Sequence, residues 1–72
     1  MTLGQRVKEL RENKGLTQQQ VARVLGLTAW RSIAYLEADQ RGLDNKQLLI
    51  LADFFNVSID YLVGRTDDPV RL

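Results

Sequence analysis

The sequence predicts an all-α fold, a compact arrangement of five short helices, and three observations predict it. Apolar residues recur at three- and four-residue spacing in short blocks along the whole chain. A residue suited to an N-cap stands before each block: Thr2, Thr17, Thr28, Asp44 and Ser58. Residues that adopt the left-handed conformation close the blocks, namely Gly15, Gly26, Asn56 and Gly64.

The first helix is expected over 2–13, with Leu3, Val7 and Leu10 on its inward stripe and Lys14-Gly15 ending it. Thr17 opens the second, and Gln20 stands where it completes a capping box. Val21, Ala22 and Leu25 form its inward face, Gly26 terminates it, and Leu27 plugs the turn that follows. Thr28 is the expected N-cap of the third helix, whose Ile33 and Leu36 face inward. Two short helices joined by a tight turn make a helix-turn-helix, in which one helix crosses a DNA backbone while the next enters the major groove. Asp44 and Gln47 form a second capping box, and Leu48, Leu51, Ala52 and Phe55 give the fourth helix its inward face. Ser58 caps a last short helix over 59–63. The domain is thus expected to occupy 1–64. Residues 65–72, with their aspartates and Pro69, read as a loose C-terminal tail, the start of a linker, or a point where a longer protein was cut.

Composition narrows the chemistry. A chain of 72 residues is one small domain, near the size at which a single core supplies only about 3–5 kcal/mol of net stability. Histidine and cysteine are both absent, which removes the commonest general base and the thiolate ligands. Catalysis would fall to carboxylates, lysines and hydroxyls, and these converge in no pattern that suits it. No enzyme, metal site, cofactor or small-molecule substrate is expected. No apolar run approaches the roughly 18 residues that span a bilayer, and no signal peptide is visible. A cytoplasmic protein is the expectation.

The net charge is only +1, but it is unevenly spread. Arg6, Lys8, Arg11, Lys14 and Arg23 oppose only Glu9 and Glu12 in the first third of the chain. From Asp53 onward, Asp53, Asp60, Asp67 and Asp68 outnumber Arg65 and Arg71. One basic and one acidic end suit a molecule that presents a single face to phosphate, although solvated helix faces give the same pattern.

Several short motifs together resemble the lambda-repressor-like (Cro/CI-type, XRE-family) regulators. They are Thr17-Gln18 through Ala22, Leu25-Gly26-Leu27-Thr28, and Ser32-Ile33-Ala34-Tyr35-Leu36-Glu37. The flanking LRENKGLTQ and LADFFNVSIDYLVG extend the resemblance to about Gly64. It implies the lambda-repressor-like five-helix fold and sequence-specific binding of a double-stranded DNA operator by a bacterial or phage transcriptional regulator, a repressor. It also assigns Gln18 a phosphate clamp, with Gln19 beside it, and places a recognition helix at about 29–37.

The third helix departs from the family pattern. Ala29-Trp30-Arg31 separate Thr28 from Ser32, one residue more than is usual. Counting back from Glu37 puts Trp30, Arg31, Ala34 and Tyr35 on the base-facing side, with Thr28 and Ser32 at its edge. Arg31 suits guanine O6 and N7, and Tyr35 a phosphate or a thymine methyl. Trp30 is open between a DNA-facing and an inward-packed indole. Asp39 and Leu43 stand where the family has glycine and proline, and Arg41 and Lys46 are candidate backbone contacts. Glu37 reads as structural, paired with Arg6 or Arg11.

Ile50 and Phe54 point away from the inward face of the fourth helix, toward Tyr61 and Val63. Such an apolar patch predicts a homodimer interface. A two-fold axis there would set two recognition helices about one DNA turn (~34 Å) apart, on a pseudo-palindromic operator. The alternative is that the first helix, or Val70 and Leu72, covers the patch within one chain. A competing function is an antitoxin or other protein-interaction module, which the extra residue and near-neutral charge favour.

Overall fold

The computed structural model describes residues 1–71, so Leu72 lies outside the described residues. The caps act where the sequence places them, with one exception. Thr2 Oγ1 accepts from the Gln5 N–H and Gln5 Oε1 from the Thr2 N–H, starting α1 (Leu3–Asn13). Thr17 and Gln20 exchange the same pair of bonds at the head of α2 (Gln18–Val24). Asp44 and Gln47 do so for α4 (Asn45–Phe55), and Ser58 caps α5 (Ile59–Leu62) through the Tyr61 N–H. Each reciprocal box satisfies two backbone groups that a helix end otherwise leaves bare. Asn56 sits at φ 55°, the left-handed position that stops α4.

The exception is α3 (Arg31–Glu37), which begins two residues later than the expected 29–37. Thr28 does not cap it. The residue at the N-cap position is Trp30, already in right-handed helical conformation and with no side-chain cap bond. The Ala29 carbonyl accepts the Ser32 N–H, and the Trp30 carbonyl accepts those of Ile33 and Ala34. These bonds draw the extra residue into a tight turn, and the Thr28 carbonyl is taken by Gln19 Nε2 at 3.4 Å.

Every helix contributes to the core, in which Val7, Val21, Ala22, Leu25, Ile33, Leu36, Leu51, Ala52, Phe55, Val57 and Leu62 are buried. Leu3, Leu10 and Leu48, expected inward, are partly buried and line its margin. α3 lies against both α1 and α2, while α4 and α5 close the other side.

Asp39 fastens α3 to the start of α1. At φ 59° it turns the chain out of α3. Its carboxylate accepts from Thr2 Oγ1 at 2.7 Å and from the Gly4 N–H at 3.0 Å. A side chain at Gly4 would collide with the Leu36 carbonyl and with this carboxylate, so the approach of the two helices requires glycine.

The segment after Gly64 is not loose in its described part. The Arg65 N–H donates to the Asp60 carbonyl, and the Ser58 N–H to that of Pro69 at 3.1 Å. Asp67 meets Arg6 at 3.2 Å, and Arg71 pairs with Asp53. The sequence gives these residues no helical spacing, but their partners lie on three different helices and hold them in place. Arg6 itself is buried, with its guanidinium 3.7 Å from the centre of the Tyr61 ring.

Candidate nucleic-acid interface

The inner side of α3 is fixed by Ile33 and Leu36 in the core and by Glu37 beside them. Glu37, with a side chain only 5% exposed, receives Arg11 Nε at 2.7 Å and Arg11 Nη2 at 3.1 Å. Arg11, not Arg6, is therefore the partner of Glu37. Arg11 Nη1 also donates to the Leu16 carbonyl, which ties α1, the α1–α2 loop and α3 together. The hydrogen bonds that Arg11 donates to Glu37 raise its pKa above the ordinary value, against a smaller opposing effect of burial, with added attraction from the Glu37 and Glu12 charges. A basic group whose pKa rises on folding stabilises the fold at every pH below its unfolded value. The contribution of Arg11 is thus constant across the neutral range.

Gln18, at the first position of α2, completes this network by donating Nε2 to Glu37 Oε1 at 3.1 Å. A side-chain amide has two N–H donors, so one remains for an external acceptor. Lys8, Arg11, Glu12 and Gln18 line an open groove of about 580 Å³ together with Ala34 and Glu37 of α3 and Ala38 at its C-cap. Gln19 is half-buried, with one amide N–H on the Thr28 carbonyl and a second left for another acceptor.

The outer side of α3 is exposed as its register predicts. Trp30 is 47% and Tyr35 53% exposed, Arg31 is exposed, and Ser32 and Ala34 are half-buried. The indole of Trp30 is no part of the core, so the inward alternative does not hold. The Arg31 guanidinium lies 5.5 Å from the centre of the Trp30 ring. No carboxylate pairs with Arg31 among the described residues, in contrast to Arg6, Arg11 and Arg71. Thr28, Arg41 and Lys46 are exposed, with Arg41 Nε turned onto the Gly42 carbonyl at 3.4 Å.

The patch proposed from α4 and α5 is only partly free. Phe54 is exposed and packs edge-on against Phe55. Ile50 and Tyr61 are half-buried against the core, and the Tyr61 ring carries Arg6. Val63 is half-buried as the C-cap of α5. Leu49 and Ile59 are exposed as well.

The helix-turn-helix family matches residues 7–62. The HTH-type transcriptional regulator ImmR of Bacillus subtilis is 39% identical over 67 residues, 93% of this chain and 52% of its own. The uncharacterized HTH-type transcriptional regulator YobD of the same organism is 40% identical over 65 residues, 90% of this chain and 57% of its own. The chain therefore spans about half the length of the curated relatives it matches. Among solved structures, a transcriptional regulator from Listeria innocua superposes with a TM-score of 0.83 at 32% identity, over 88% of this chain and 58% of that one. The P22 c2 repressor, solved with a synthetic operator, gives 0.82 at 21% identity over 92% of this chain and 98% of its own, a likeness of fold.

Proposed function

The chain belongs to the lambda-repressor-like helix-turn-helix family, and on that premise we propose that it binds double-stranded DNA sequence-specifically as a cytoplasmic transcriptional regulator, a repressor. The observation that carries this reading is the two-sidedness of α3. Its inner side is locked by Ile33, Leu36 and the Glu37–Arg11 pair, while Arg31 and Tyr35 stand exposed on the other. A short helix packed firmly on its inner side, whose outer arginine meets no carboxylate among the described residues, suits the reading of base edges. In this assignment Trp30, Arg31, Ala34 and Tyr35 face the bases, with Thr28 and Ser32 at the edge. Gln18, Gln19, Arg41 and Lys46 meet the phosphates. The relatives named as transcriptional regulators support the same reading.

The protein acts as a homodimer on a pseudo-palindromic operator, through Phe54 and Ile50 of α4 with Tyr61 and Val63 at the end of α5. Support comes from the 41% exposure of Phe54 on a domain this small. The test of the function is a salt titration on a random duplex. Binding through several phosphates should fall linearly on a log–log plot of affinity against salt, by roughly one power of salt per phosphate neutralised. A module turned to binding a protein partner would show no measurable duplex binding to titrate.

A further inference from the structure

We propose that Trp30 is a positioning residue for Arg31, an aromatic platform that aims the guanidinium at a base. The inference rests on the reading of α3 as the base-reading helix. Arg31 is the first residue of α3, and its guanidinium lies over the Trp30 ring at 5.5 Å. A contact with the face of an aromatic ring consumes no N–H donor, so the guanidinium keeps its donors for another acceptor. A carboxylate partner would do the opposite, occupying the fork that guanine O6 and N7 need. The other closely held arginines of this chain all meet carboxylates, Arg11 at Glu37, Arg71 at Asp53 and Arg6 at Asp67, with Arg6 also lying against the Tyr61 ring. Arg31 has a platform and, among the described residues, no carboxylate partner.

The backbone places the platform. The extra residue before α3 is absorbed by the Ala29–Ser32 bond, which leaves Trp30 in helical conformation at the N-cap position. Its indole therefore stands beside Arg31 at the exposed end of the helix, outside the core. Arginine carries much rotamer freedom, and an orienting contact lowers the ordering required at the moment of binding.

The test uses the whole chain as wild type, W30A, W30F, R31A and W30A/R31A, each checked for helical circular dichroism. Enriched duplexes are selected from a random pool, and affinity for the wild-type site is measured. R31A should lose its preference at one base pair. W30A should loosen preference at that same base pair and weaken the wild-type site by roughly 2–5-fold, as an exposed cation–π contact allows. W30F should retain most of the affinity, and adding W30A to R31A should change little further. If W30A weakens binding equally with and without Arg31, or alters a different base pair, Trp30 acts on DNA directly and the proposal falls. Nuclear magnetic resonance of the free protein tests the pair separately from any DNA binding. Arg31 side-chain protons should be shifted upfield by the indole and return to ordinary positions in W30A. Absence of that shift overturns the platform, whereas a wild-type protein that selects no sequence overturns the function while leaving the pair standing.

Discussion

Glu37 holds together the parts of the interface that have opposite tasks. It neutralises Arg11, orients Gln18 and sits at the end of the helix assigned to the bases. Removing one member of a largely buried ion pair leaves the other desolvated without compensation, so Glu37→Gln should destabilise the domain by about 3 kcal/mol or more in urea unfolding. For a chain of this size that is most of its stability. Arg31 has no such structural task, and Arg31→Ala should leave the unfolding midpoint unchanged. It should instead cost about 1–3 kcal/mol on the preferred site and relax selection at one base pair. Gln18→Ala should weaken all duplexes by a similar factor, which competition between the preferred site and random DNA would measure.

At the scale of the elements, caps with short-range signals were legible in the sequence and the start of α3 was not. Thr17, Asp44 and Ser58 each act on a backbone N–H three residues away, so composition alone identifies them. Thr28 has the same composition, yet the residue inserted after it shifts the helix start to Arg31. Which of two threonines caps is decided by the register of the turn, a competition between backbone bonds that residue types do not encode. Thr17→Ala should therefore cost about 1 kcal/mol, and Thr28→Ala should cost almost nothing, by thermal unfolding of the two variants side by side. Asp39 was legible as a left-handed turn residue but not as a cap for α1, because its partner Gly4 is 35 residues away. The outward register of Arg31 and Tyr35 was legible because Ile33 and Leu36 fix the inward side by periodicity, whereas Trp30 stood open between the two sides until its exposure decided it. The approach of the Arg31 guanidinium to the Trp30 ring was not legible, since it depends on the conformation at the N-cap.

Over the whole molecule, the C-terminal segment is the largest departure from expectation. Asp67, Pro69 and Arg71 return it to α1, α5 and α4, and none of these contacts follows from local spacing. The same return bears on the dimer, because Arg71 and Asp53 pair next to Phe54 in sequence. If the exposed Phe54 face joins two copies, Phe54→Lys should give a folded monomer in sedimentation whose half-site binding survives while full-operator affinity collapses. A wild-type chain that stays monomeric at high micromolar concentration would remove the dimer while leaving the single-domain interface in place.

The central claim is that the outer side of α3 reads base pairs. Selection of bound duplexes from a random pool, run in parallel with wild type and Arg31→Ala, tests it most directly. The wild type should enrich a defined motif, and the variant should lose preference at a single base pair, a guanine contact. A wild-type protein that enriches no motif, or a variant whose motif is unchanged, would contradict it.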